Sequence, residues 1–119
     1  MAWNIEFDDL FFSEASSFET EVRAELAACL ILLRDFGPAL KRPHCDTLKG
    51  SRHANMKELR FAADDGVWRV AFAFDPKRSA IMLVAGDKSG VSEKRFYKKL
   101  IATADDRFDA HLALLKKKK

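Results

Sequence analysis

Cysteine, glycine and proline are scarce in this chain of 119 residues, and it has no long apolar run. The two cysteines, Cys29 and Cys45, are too few for a disulfide framework. No apolar stretch approaches the roughly 18 residues that cross a bilayer. The N-terminal stretch MAWNIEFDDL has no basic segment ahead of an apolar one, so we predict no secretory signal. We therefore expect a cytoplasmic protein with one domain over residues 1–119.

Motifs for metals and cofactors are also sparse. His44 and Cys45 are adjacent, but they have no companions at the spacing of metal ligands, so we expect no metal site. Gly86 and Gly90 flank Lys88, but two glycines are too few for a phosphate-cradling loop and are typical of turns. We expect a protein that works without a metal ion or other cofactor.

Charge is unevenly distributed along the chain. Residues 1–35 hold eight acids and two bases, a net charge of −6, whereas residues 36–119 hold nineteen bases and ten acids, a net charge of +9. The four lysines at 116–119 are typical of a solvated basic tail, but residues 36–115 are still +5 without them. This distribution points to a polyanionic partner for the later part of the chain.

Hydrophobic periodicity predicts a small α+β domain with a mostly antiparallel sheet. The sequence Asp65-Gly66 indicates a hairpin, and Ser16 followed by Glu19 matches a capping box. The predicted elements are a strand at 3–7, a helix from Ser13 or Ser16 to Gly37-Pro38, a short helix or turn and an ordered loop over 38–57, strands at 58–62, 67–74 and 80–85, and a helix capped by Ser92. Their order is β-α-(short α)-β-β-β-α.

The hairpin predicts where two arginines point. If Asp65 and Gly66 form the loop, Arg60 and Arg69 are diagonal neighbours on one face of the sheet. Burial of the large apolar side chains fixes this register, because a slip by one residue would expose all of them. The predicted core face carries Leu59, Phe61, Trp68, Val70, Phe72 and Phe74.

The opposite face resembles a phosphate site in its chemistry. Small alanines beside the arginines predict a shallow floor, and each guanidinium presents a planar fork of donors. Alternatively, both arginines are solvated or paired with acids such as Glu58 or Asp87. The nearby cations are Lys49, Arg52, His53 and Lys57 in the preceding loop and Lys88 after the last strand. Together they predict a groove that attracts a nucleic-acid backbone.

Four segments give the chain a family resemblance. LKGSRHANMKELRF, WRVAFAFDP, LVAGDKSG and EKRFYKKLIATADDRFDAHL, in this order, resemble the HigB-type, phage-related branch of the RelE/ParE toxin superfamily. The resemblance covers roughly residues 3–112. It implies a small twisted, mostly antiparallel four-stranded sheet with helices packed on one face. It also implies the toxin of a type II toxin–antitoxin pair, with a cognate antitoxin as partner.

The resemblance further implies an mRNA endonuclease that acts on the ribosome without a metal, through attack of the RNA 2′-OH on the adjacent phosphate. Arg60, Arg69 and Lys88 match basic family positions and would stabilise developing charge. Lys49 and Arg52 would bind flanking phosphates.

The acid and base of this reaction stay open. His53 is a candidate because histidine titrates near neutral pH, and Lys57 lies near the chemistry. Many family nucleases place a histidine or tyrosine near the chain's end, but Tyr97 and His111 are expected on the sheet's other face. Alternative functions are a toxin that binds and poisons DNA gyrase and a phage-derived nucleic-acid-binding regulator.

Overall fold

A computed structural model describes residues 2–117. Five strands and three α-helices follow one another along the chain. Within the described residues no helix is both long and apolar enough to cross a membrane. The elements are β1 (Asn4–Phe7), α1 (Asp9–Ser16), α2 (Thr20–Phe36), a 3₁₀ turn (Gly37–Ala39), β2 (Cys45–Thr47), β3 (Met56–Ala63), β4 (Gly66–Phe74), β5 (Ser79–Asp87) and α3 (Glu93–Lys117).

The strands form one sheet in the order β1-β5-β4-β3-β2. β1 runs parallel to β5, and the other neighbours are antiparallel. The α+β class and the mostly antiparallel sheet are therefore confirmed. The sheet has a fifth strand because β2, expected as part of a turn and loop, pairs its three residues with β3.

The helix boundaries differ from the prediction near the N-terminus. A separate helix, α1, precedes α2, and Asp8 caps α1 by accepting a hydrogen bond from the backbone N–H of Phe11. Ser16 instead ends α1, and Glu19 at the N-cap of α2 makes no side-chain cap, so the predicted capping box is wrong. Ser92 does cap α3, since its Oγ accepts from the backbone N–H of Arg95. Lys116 and Lys117 end α3, and the rest of the predicted tail lies outside the described residues.

The β3–β4 hairpin turns one residue earlier than expected. Asp64 and Asp65 are the loop residues, both in the left-handed region with φ of 50° and 60°, as a type I′ turn requires. Arg60 and Arg69 are therefore directly opposite each other, rather than diagonal. The predicted faces of β3 and β4 are nevertheless correct. Moving the loop by one residue shifts each cross-strand pair by two positions, and residues two apart on a strand share a face. The six predicted core side chains all pack on the α1–α2 side.

Helices cover both faces of the sheet, not one. The α1–α2 side holds one core cluster, while α3 packs on the face that carries Arg60 and Arg69. Ala71 and Ala73 on that face are fully buried, and Leu100 of α3 belongs to the same cluster. Small side chains let a helix approach a sheet closely. Ala71 and Ala73 were expected to form the floor of a phosphate site, but they are instead covered by α3.

Candidate functional site

One carboxylate gathers the two arginines. Glu58 Oε2 accepts a hydrogen bond from Arg60 Nη1 at 2.8 Å, and Glu58 Oε1 lies 3.8 Å from Arg69 Nε. All three side chains point to the α3 face, because alternation places Glu58 and Arg60 together on β3 and register places Arg69 opposite Arg60. The shared carboxylate offsets the repulsion of two cations at directly paired positions. We call Glu58, Arg60, Arg69 and Tyr97 the Glu58 cluster.

Tyr97 completes the cluster from α3. Its hydroxyl donates to Glu58 Oε1 at 2.8 Å and accepts from Arg69 Nε at 3.2 Å. Burial, followed by the hydrogen bond to Glu58, raises the pKa of Tyr97, so its hydroxyl stays protonated at neutral pH. The expectation that Tyr97 lies on the other face is wrong, because α3 packs on the arginine side. His111 lies farther along α3, where it binds Asp75.

The two arginines differ in accessibility. Arg69 is only 5% exposed, and its Nη1 also donates to the carbonyl of Trp68. The side chain of Arg60 is 19% exposed, and within residues 2–117 only its Nη1 has a hydrogen-bond partner. A guanidinium carries five N–H donors, so Arg60 can hold Glu58 and still bind an entering anion. Arg69 does not line the cavity that lies over these residues.

An open cavity of about 390 Å³ lies over the cluster. Glu58 and Arg60 belong to its floor, and Lys49 comes from the preceding loop. Glu93 also lines the cavity, and Lys88 lies next to it, with its Nζ 2.8 Å from the Glu93 carboxylate. The full lining is Arg42, Asp46, Thr47, Leu48, Lys49, Glu58, Arg60, Glu93 and Tyr97.

Arg52 and His53 lie away from this cavity. Arg52 forms salt bridges with Asp106 and Asp109 of α3, and His53 Nε2 lies 2.7 Å from Asp109 Oδ1. Hydrogen bonds from both partners lower the pKa of Asp109, and the bond from Arg52 has the larger effect. The candidate base His53 is thus held by Asp109, a residue of α3 that follows it by 56 positions in the chain. The prediction that the loop brings it to the arginines is wrong.

Lys57 is also apart from the arginines. Its neighbours in β3 register are Phe72 and Thr47, and Phe72 belongs to the α1–α2 core. Alternation along β3 therefore sends Lys57 to the opposite face from Glu58. Of the predicted cations, the structure brings together Arg60, Arg69, Lys49 and, through Glu93, Lys88.

Two residues of the cluster were not predicted as functional. Glu58 was considered only as a partner that would neutralise the arginines. Its position two residues before Arg60 on a strand was the available signal, since such residues share a face. With a carboxylate, an accessible guanidinium and a neutral hydroxyl, the site can accept a proton and stabilise negative charge within one cavity.

Comparison with known proteins identifies relatives. A family model described as "Phage derived protein Gp49-like (DUF891)" matches residues 13–109. A Mycobacterium tuberculosis protein named "Putative toxin HigB2" is 48% identical over 87 residues, 72% of this chain and 43% of that protein. Another, "Putative toxin HigB3", is 43% identical over 93 residues, 78% of this chain and 79% of that protein. The chain therefore aligns with less than half of HigB2.

The fold also matches a solved structure. A mutant of the E. coli toxin RelE in the free state superposes with a TM-score of 0.61 at 14% identity. The match covers 86% of this chain and 96% of that chain. At this identity the likeness establishes a shared fold.

Proposed function

This chain belongs to the phage-derived Gp49-like family, and on that premise we propose that it is the toxin of a type II toxin–antitoxin pair that cleaves mRNA. The resemblance to the HigB-type branch of the RelE/ParE superfamily is confirmed by the same relatives. The partners in this proposal are a cognate antitoxin and mRNA on the ribosome, in the cytoplasm. The Glu58 cluster under an open cavity is the observation that carries the nuclease activity.

In the proposed mechanism, the RNA 2′-OH attacks the adjacent phosphorus. Glu58 accepts the 2′-OH proton, and the unused donors of Arg60 stabilise the charge that develops on the phosphorane. The 5′-oxygen leaves with a proton from water in the open cavity, and a 2′,3′-cyclic phosphate remains. Lys49 and Lys88 contact flanking phosphates at the rim.

Arg69 and Tyr97 act as positioning residues. Tyr97 donates to Glu58 Oε1 and Arg69 in turn donates to the Tyr97 hydroxyl, so the other carboxylate oxygen faces Arg60. This assignment replaces the expected role of Arg69 in contacting the phosphate, since Arg69 does not line the cavity over the cluster. His53, Arg52 and Lys57 have no part in the reaction, because they lie elsewhere.

The test is inducible expression in a bacterium followed by primer extension on mRNA. New 5′ ends within translated codons support the nuclease. Growth arrest with intact mRNA and DNA damage would indicate a gyrase-directed toxin instead. An absence of arrest would indicate the phage-derived regulator.

Two substitutions test the assigned roles. Glu58→Gln should lower cleavage of a reporter mRNA on purified ribosomes by roughly 10²–10⁴-fold, because it removes the base while keeping the shape. Arg60→Ala should lower it by roughly 10²-fold or more. Arg34→Ala, an exposed arginine on α2, is the matched control and should retain activity. Normal cleavage by Glu58→Gln would exclude Glu58 as the base.

A further inference from the structure

The outer strand pairing of β5 stops halfway. β1 pairs with β5 only from Ser79 to Met82. At the next residue, Arg107 Nη1 donates to the carbonyl of Leu83 at 2.8 Å and closes the edge there. From Val84 to Asp87 no other strand within residues 2–117 lies on this side, and all four residues are partly exposed. We call this stretch the open β5 edge.

The backbone direction along this edge follows from the neighbouring ladder. The N–H of Lys88 donates to the carbonyl of Val67 in β4 at 2.8 Å, so Lys88 faces β4. Backbone groups alternate sides along a strand, so those of Ala85 and Asp87 face away from β4. Such unpaired N–H and C=O groups form the template on which an extended peptide adds as a new strand.

A cavity of about 360 Å³ opens beside this edge, between β5 and α3. Its wall is largely apolar, and exposed Val91 extends it toward solvent. Gly86 makes room for the ring of Phe96, since a Cβ at Gly86 would lie 2.9 Å from that ring. A strand added to β5 would turn alternate side chains toward this cavity, so it offers a place for one apolar anchor.

Positive charge at the mouth of this cavity favours an acidic partner. Arg95 and Lys99 line the cavity one turn apart on α3, are exposed, and form no salt bridge within residues 2–117. Asp64 and Asp65 of the β3–β4 hairpin lie at this same end of the sheet, but they do not line the cavity. We propose that the open β5 edge binds an extended acidic segment of a partner protein, which adds a sixth strand and places an apolar side chain in the cavity.

Other occupants fit less well. A second copy paired edge to edge would present the same patch on both subunits, bringing Arg95 and Lys99 close to their own copies. An RNA strand would satisfy the cations but leave the apolar cavity unfilled. Strand addition does not require the nuclease activity, since none of the residues involved belongs to the Glu58 cluster.

The experiment uses a blocked peptide containing Glu-Thr-Leu-Thr-Glu and the ¹⁵N-labelled full chain. In a strand this peptide places leucine and both glutamates on one face. Binding should slow hydrogen exchange at the amides of Ala85 and Asp87, which gain a strand partner. The same peptide with lysine for glutamate should bind at least about tenfold more weakly, because it reverses the charge facing α3.

Substitutions locate the site. The double change Arg95→Glu and Lys99→Glu should weaken binding of the acidic peptide about tenfold or more. The matched control, Lys94→Glu with Lys98→Glu, makes the same charge change on the same helix outside the cavity and should bind like the wild type. Ala85→Pro removes an outward N–H without touching the β4 ladder and should also weaken binding.

Three results would overturn the proposal. Protection of the Ala85 and Asp87 amides by oligouridine RNA, but not by the peptide, would identify a nucleic-acid site. Protection that rises with protein concentration alone would identify a second copy. Equal binding of the acidic and basic peptides, or no binding of either, would exclude an acidic segment.

Discussion

At the scale of single residues, Glu58 decides the character of the site. The residue is 4% exposed, and a buried carboxylate without partners would be strongly destabilising. Hydrogen bonds from Arg60 and Tyr97, with Arg69 nearby, satisfy it. Arg60 and Arg69 therefore do not form an open phosphate site made of cations alone. They hold a reactive carboxylate in a fixed orientation and leave one guanidinium with spare donors.

Replacing Arg69 should therefore cost stability. Arg69 is buried, and its guanidinium is bonded to Tyr97 and to the Trp68 carbonyl. We expect Arg69→Ala to lower the free energy of unfolding by about 1–3 kcal/mol, measured by urea denaturation. Exposed Arg34→Ala should change it by less than about 0.5 kcal/mol. Equal midpoints for the two variants would show that Arg69 is not held as described.

At the scale of elements, α3 fastens the loop before β3. Buried Asp105 accepts hydrogen bonds from Ser51 Oγ and from the backbone N–H of Arg52. Asp109 adds the bonds to Arg52 and His53. The loop cations that the sequence suggested for RNA are thus partly consumed in holding the loop against α3. This attachment fixes the chain just ahead of the strand that carries Glu58.

Adjacent aspartates allow a matched test of this attachment. Asp105→Ala should lower the free energy of unfolding by about 1–3 kcal/mol, since it leaves two donors unsatisfied. It should also speed hydrogen exchange across residues 50–55. Asp106→Ala removes only an exposed contact at 3.4 Å and should have little effect on either measurement. Similar exchange rates in the two variants would contradict an anchoring role for Asp105.

At the scale of the whole molecule, charge follows the layers of the fold. On one face of the sheet, α1 and α2 carry more acidic than basic residues. On the opposite face, α3 carries more basic than acidic residues. Arg107 of α3 links the two layers around the edge of the sheet by binding both carboxylate oxygens of Glu14 in α1. This hydrogen bonding is the main cause that lowers the pKa of Glu14.

The Glu14 link predicts how stability depends on pH. A carboxyl whose pKa is lowered by folding stabilises the protein above its unfolded pKa of about 4, and that contribution is lost as pH falls through the folded value. Glu14→Gln should therefore lower the melting temperature at pH 7, and the difference from wild type should shrink toward pH 3. Glu25→Gln is the control, because exposed Glu25 has no salt bridge among the described residues. A difference that grows on acidification would contradict the Arg107–Glu14 assignment.

Much of the sheet, but only part of the site, was predictable from sequence. Alternation in β3 and β4 identified the core face and placed Arg60 and Arg69 together, because strand side chains alternate irrespective of the exact turn. The turn itself was misplaced, since Asp64 and Asp65 adopt the left-handed conformation that an Asp-Gly pair takes more readily. β2 escaped prediction because three residues carry too little periodicity.

The amino-acid sequence by itself determined four of the five strands, the faces of β3 and β4, and the family, because these depend on local periodicity and on ordered motifs. Only the tertiary structure decided which face α3 covers, and with it whether Tyr97 reaches Glu58 across 39 residues of chain. Both faces of β4 carry apolar side chains, so either could have received the helix. Small alanines next to Arg69 let α3 pack closely there, and this packing turned an expected open groove into a buried cluster with one accessible arginine.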